Sequence, residues 1–172
     1  DGRKADAEHL APLFELATVH LGCNNSHLVE VDGDWQTVGD PTEGALLSVG
    51  AKAGGDRERI EQELPKLHEI PFDSDRKRST VLRRMPDGRL RALINGAPDV
   101  LLELCTGIYT GTGVRPMTEK DRRSIDTHNT AMAQQALRVL GSAYRDLDNA
   151  SPADLTADTV EHDLVFVGLT GM

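Results

Sequence analysis

The chain has 172 residues, and its 19 Lys plus Arg against 28 Asp plus Glu leave a formal charge of −9. That length suits one domain, and 38% hydrophobic with 27% charged residues support a core beneath a charged surface, which excludes a disordered or fibrous chain. The acidic balance and the three Phe, two Tyr and one Trp argue against a nucleic-acid partner, and no apolar run approaches the ~20 residues of a bilayer span.

Apolar residues at Leu10, Leu13, Phe14, Ala17 and Leu21 recur at helical intervals, so a first amphipathic helix should end at Gly22. From Leu28 to Val38 the alternation around Asp32-Gly33 predicts a short hairpin. Asp40-Pro41-Thr42-Glu43 is a helix start: Asp40 can accept from orphan amides, Pro41 fits the first position, and Glu43 can act as a reciprocal capping carboxylate. That helix should run to about Lys52 and break at Gly54-Gly55. Asp56 to Leu64 reads as a further helix halted by Pro65.

Leu67 to Phe72 reads as a strand. The segments 78–85 and 89–94 around Pro86-Asp87-Gly88 form the clearest hairpin, with charged and apolar residues alternating as in a half-buried antiparallel sheet. Pro98 opens a helix whose buried stripe should be Val100, Leu101, Leu104 and Cys105, followed by a Gly- and Thr-rich loop. Thr118 and Asp121 suggest a cap for a long helix to about Ala136. A strand follows over 137–144, then a surface excursion around Pro152, then a last strand over 164–169. The sum is an α+β fold, one mainly antiparallel twisted sheet flanked by helices, with no internal repeat.

Cys23 and Cys105 stand far apart without metal-ligand spacing and read as reduced, buried thiols; the six histidines are scattered without an HExxH pattern, and no metal site is expected. The phosphate-binding patterns GxxxxGK[ST] and strand-linked GxGxxG are absent. With no initiator Met, no signal-like start and an apolar run at its close, the chain reads as a piece excised from something longer.

Four phrases then stand out in order: Gly39-Asp40-Pro41-Thr42-Glu43-Gly44-Ala45-Leu46, Phe72-Asp73-Ser74-Asp75-Arg76-Lys77-Arg78-Ser79, Asn95-Gly96-Ala97-Pro98, and Leu137-Arg138-Val139-Leu140. Together they resemble the nucleotide-binding domain of P-type cation-transporting ATPases, in the calcium-pump-like or sodium-pump-like branch. Cys23-Asn24-Asn25-Ser26 and Val167-Gly168-Leu169-Thr170-Gly171-Met172 extend the resemblance over nearly the whole chain, as one domain of residues 1–172.

The resemblance implies a domain on the cytoplasmic face of a membrane pump. It would bind ATP by the adenine end (Mg-ATP in the full pump) and present it to a phosphorylation domain; that domain and the actuator domain are the implied partners, and the domain itself is expected to be a monomer. The aspartate of the Asp-Lys-Thr-Gly-Thr motif, which accepts the phosphoryl group, is not in this sequence, so the piece should bind without turnover. Phe72 matches the adenine-stacking aromatic, although unaided its position after Ile70-Pro71 suits a core Phe closing a strand. Glu43 matches the acid facing the adenine amino group, Arg138 the arginine near the phosphates, and Lys77 a basic position of the same pocket. Ser74 stands where some members have arginine. Arg76, Lys77, Arg78, Arg83 and Arg84 form either a solvated hairpin face or a basic patch that offsets the overall negative charge.

Gly96 keeps the motif's small residue, and Asn95 departs from the lysine most relatives have there, which implies weaker ATP binding than in a lysine-bearing relative; with the phosphorylation domain missing, the affinity should be about 0.1 to 1 mM or weaker. The same departure motivates an alternative reading, a nucleotide-weak structural or interaction domain of such a pump. The transported cation is not legible, because its ligands would lie in membrane helices outside this sequence.

Overall fold

The structure, a computed structural model, describes residues 7–147 and 155–172, with side chains from residue 11 onward. The expected excursion around Pro152 lies outside the described residues. Helix α1 (Ala7–Gly22) leads into the hairpin β1 (His27–Val31) and β2 (Asp34–Val38), whose turn is Asp32-Gly33 with φ of 55° and 87°. Two successive left-handed residues are what a two-residue loop between twisted strands requires, and Gly33 adopts that conformation without a side-chain penalty. Helix α2 (Pro41–Lys52) starts as its sequence implies, with the Asp40 carboxylate accepting from the Thr42 and Glu43 amides. Helix α3 (Arg57–Glu63) follows.

The main sheet has seven strands in the order β3-β4-β5-β8-β9-β6-β7, antiparallel except for the β6–β9 pair. They are β3 (Lys66–Asp73), β4 (Arg78–Arg84), β5 (Leu90–Gly96), β6 (Cys105–Thr110), β7 (Gly113–Pro116), β8 (Val139–Leu147) and β9 (Leu164–Gly171). The remaining helices are α4 (Pro98–Leu104), α5 (Glu119–Ala133) and the short α6 (Ala157–Val160). The α+β class expected from the sequence is the class observed.

The 78–96 hairpin is not half-buried, as its alternation suggests. It lies in the body of the sheet with apolar packing on both faces: Leu82, Ala92 and Ile94 join Leu101, Leu164 and Phe166 in one core, while Val81 and Leu93 join Val19, Tyr144 and Val167 in the other. Arg83, read from the sequence as part of a solvated face or of a basic patch, is fully buried. Its guanidinium donates to the Gly22 carbonyl at the end of α1 and to the Leu64 carbonyl at the end of α3 and pairs with Glu61, so it serves carbonyls that the two helices themselves leave unbonded. Arg57 adds bonds to Leu21 and Asn24 carbonyls at the end of α1.

Two further expectations need correction. Cys105 does not complete the helical stripe of α4; it opens β6, and the Gly- and Thr-rich loop after it is the β6–β7 hairpin. Both cysteines are buried as expected, and burial pushes the Cys23 thiol up to about 11 and Cys105 to about 12, so neither is a ready nucleophile. At the start of α5, Thr118 and Asp121 form the reciprocal cap implied by their spacing. The carboxyl of Asp121 is held far below its usual range by the Arg115 guanidinium and by Thr118.

Candidate functional site

A cleft of about 220 Å³ opens where the start of α2, the end of β3, the ends of β4 and β5 and the entry to β8 meet. Each wall follows from local chemistry. Pro41 and the Asp40 cap fix where α2 begins, and Glu43 falls within its first turn, facing the end of α1. Phe72 is carried to the sheet edge, where pairing of β3 with β4 is irregular between Ile70 and Asp73. The Asp73 carboxylate then accepts from the Asp75 and Arg76 amides and closes the turn. Arg138 is placed by two backbone bonds that pair it with Met172, beside β9.

Of the residues singled out in the sequence, Glu43, Phe72, Asn95, Gly96 and Arg138 share this cleft. Ser74 and Lys77 do not line it; both are exposed on the β3–β4 turn, Lys77 with φ of 52°. Cys23, Asp40, Thr42, Leu46, Ser79 and Leu140 complete the lining, and periodicity gave no signal for any of them beyond the neighbourhood of Asp40 and Thr42 to Glu43.

Phe72 is 64% exposed, so it is not the core residue its context suggests. Glu43 does not make the reciprocal cap either. Its Oε2 accepts from the Asn25 amide and Ser26 Oγ, both at 3.0 Å, tying α2 to the chain after α1. Gly96 is required by packing of β5 on β4, since a methyl there would sit 2.6 Å from Arg78 Cβ and 2.8 Å from the Lys77 carbonyl oxygen. Asn95 is only 5% exposed, on the floor. Burial opposes ionisation of Asp40, but the Glu43 and Thr42 amides and the charge of Arg138 hold its carboxyl below the usual range.

The basic run does not form the patch that composition suggests. Glu161, whose side chain is wholly buried, takes Arg76 through both oxygens at 2.6 and 2.8 Å, Arg78 at 2.7 Å and the Thr80 hydroxyl at 2.7 Å. Arg76 also donates to the Pro71 carbonyl, one residue before Phe72. By contrast the exposed guanidinium of Arg138 makes no ion pair among the described residues. Among the described residues the arrangement offers an exposed aromatic face, a carboxylate with one oxygen unbonded, and the cation of Arg138 along a single opening.

This geometry coincides with a family assignment. The family model for the P-type ATPase cytoplasmic domain N matches residues 13–172, and the chain belongs to that family. Among individual proteins it is 33% identical over 161 residues to a calcium-transporting ATPase of Bacillus subtilis (strain 168), covering 94% of this chain and 18% of that protein. It is 38% identical over 161 residues to the cation-transporting ATPase pma1 of Synechocystis, covering 93% of this chain and 17% of that protein. A plasma membrane-type calcium-transporting ATPase 4 of Arabidopsis thaliana is 38% identical over 127 residues, 72% of this chain and 12% of that protein. The chain thus spans less than a fifth of the length of these relatives. No helix among the described residues is long and apolar enough to cross a membrane.

Proposed function

We propose that this domain binds ATP by its adenine end and presents it to a phosphorylation domain carried elsewhere in a longer cation-transporting pump. The base lies against Phe72 with its amino group toward Glu43, and the polyphosphate runs toward Arg138. The observation that carries this reading is the Phe72 ring, 64% exposed, on the same cleft as Glu43, Gly96 and Arg138. A ring so exposed contributes little to the core, whereas a base stacked on it is worth about 1 to 3 kcal/mol.

Size supports the same division of the ligand. Sites that bury a whole drug-sized molecule run to roughly 300 to 1,000 Å³. A cleft of about 220 Å³ suits the base and leaves the phosphates outside, where another domain reaches them. Glu43 has Oε2 occupied and, among the described residues, no bond on Oε1, so it can accept from an exocyclic amine without losing its structural bonds. Arg138 supplies charge-assisted bonds to phosphate oxygens. Magnesium accompanies the phosphates in the full pump. The phosphoryl acceptor comes from another segment, since this sequence has no Asp-Lys-Thr-Gly-Thr.

A second reading, a domain of weak nucleotide affinity used for contacts within the pump, is favoured by one observation: Asn95 is buried and neutral, so the cleft floor carries no cation. Titration of the chain with ATP, watched by amide NMR, separates the two. Signals of Glu43, Phe72, Gly96 and Arg138 should move together with a dissociation constant of about 0.1 to 1 mM or weaker. Silence at about 10 mM ATP would sink the first reading.

A further inference from the structure

The ladder between β3 and β4 is interrupted at the ring assigned to the base. Ile70 pairs with Thr80 and Asp73 with Arg78, so Pro71 and Phe72 together stand against Ser79 alone. Two residues against one is a β-bulge, which breaks the ladder locally and re-aims a side chain. Pro71 has no N–H to offer β4, and its carbonyl is taken by the Arg76 guanidinium at 2.6 Å.

Glu161 grips both flanks of this bulge from a position that does not line the cleft. Its buried carboxylate, at the end of α6, accepts from Arg78 and from the Thr80 hydroxyl, and these are the β4 residues paired with Asp73 and Ile70 on either side of the bulge. The same carboxylate holds Arg76, and Arg76 holds the Pro71 carbonyl. Arg78 also donates to the Arg76 carbonyl at 2.8 Å, while the Arg76 amide donates to the Asp73 carboxylate. The backbone is thus tied down before, within and after the bulge.

Phe72 needs such a frame. A ring left mostly in solvent gains little from packing, so the backbone beneath it has to fix where it points. Without the Arg76 bond the two bulged residues are free to settle in other geometries, and a base stacks only on a ring that faces it. A loosened bulge that presents the ring about a fifth of the time raises the apparent dissociation constant about fivefold.

We infer that Glu161 and Arg76 are positioning residues for the nucleotide: they fix the Pro71–Phe72 bulge, and through it the direction of the stacking ring, without touching the ligand. The inference rests on the adenine reading above. It gives Arg76 a part in ATP affinity that is not phosphate binding, and it makes that affinity depend on α6, an element that contributes nothing to the cleft wall.

The test is a double-mutant cycle with the ring itself. ATP and adenosine are titrated, by amide NMR, into the unaltered chain, Arg76→Ala, Glu161→Gln, Phe72→Ala and the two double variants that carry Phe72→Ala. Arg76→Ala leaves Glu161 paired with Arg78 and Thr80, and Glu161→Gln keeps the side chain's shape. Each variant at 76 or 161 should weaken ATP and adenosine alike, by about threefold or more, and should change binding by less than about 1.5-fold when Phe72→Ala is already present. A loss confined to ATP would make Arg76 a phosphate contact, an equal loss with and without the ring would mark a merely structural role, and a smaller loss would leave the ring indifferent to both residues; each overturns the inference while the ATP site stands. Should both variants fail to fold, the unaltered chain decides. Its Phe72 amide should be rigid before nucleotide is added, with an NMR order parameter of about 0.8 or more, and a lower value overturns the inference. Absence of ATP binding to the unaltered chain would overturn the adenine reading itself, and this inference with it.

Discussion

The arginines of the β3–β4 region and Arg138 have opposite fates. Arg76 and Arg78 are consumed by Glu161, and Arg83 by Glu61 and backbone carbonyls, whereas the exposed Arg138 at the opening makes no ion pair among the described residues. The first group looks like a phosphate-binding patch in one dimension and behaves as scaffold in three; the second is a single residue that no run announces. What separates them is burial of the guanidinium: Arg76, Arg78 and Arg83 are partly or fully buried and Arg138 is exposed, and a charge shielded from water must be paired while an exposed one need not be.

The comparison can be broken most forcefully at Glu161. Its replacement by Ala strands Arg76 and Arg78, and the cost should be about 3 to 5 kcal/mol in urea unfolding, the range for breaking a buried pair from one side. A loss below about 1 kcal/mol would mean that those arginines relax into solvent and are as available as Arg138.

The buried histidine gives the next largest effect. His20 has its folded pKa lowered from 6.5 to about 4, so the unfolded chain binds the proton more readily. Stability from keeping it neutral is fully present above about pH 6.5 and is lost as pH falls toward 4, by roughly 3 kcal/mol in all. Stability measured across that window should fall in the unaltered chain and fall less in His20→Asn.

Arg138→Ala sharpens the contrast from the other side. It should weaken ATP by about 1.5 to 3 kcal/mol, the range for a hydrogen bond to a charged group, while adenosine binding and stability hardly change. An equal loss for adenosine would place the arginine at the base instead of the phosphates. The smallest effect is expected from Asn95→Lys, which adds a cation to the floor. ATP affinity should rise by about 1 kcal/mol or less, and no response at all would favour the nucleotide-weak reading.

Local signals in the sequence were sufficient wherever an element is set by its own residues. Asp40-Pro41 starts α2, Asp32-Gly33 turns the first hairpin, and Thr118 with Asp121 caps α5 as their spacing implies. They failed where partners lie far along the chain. The strand β6 follows α4 without a break and is completed by parallel pairing with β9, so Cys105 looked like the last residue of a helical stripe. Arg83 looked solvated because the groups it bonds come from two other segments, the end of α1 and the end of α3. Convergence of Glu43, Phe72, Asn95, Gly96 and Arg138 on one cleft was likewise invisible to periodicity; only the resemblance to a family grouped them, and that resemblance also grouped Ser74 and Lys77, which do not line it. The hydrogen-bonded row His20, Ser142 and Asn95 spans residues 20 to 142, and no local pattern connects them.

The central claim is that Phe72 is exposed because it serves a ligand. Phe72→Ala, followed by ATP titration and thermal unfolding of the same sample, tests it directly. Binding should weaken by about 1 to 3 kcal/mol while unfolding stability changes by no more than about 0.5 kcal/mol. A folded variant that binds ATP as tightly as the unaltered chain would contradict the account.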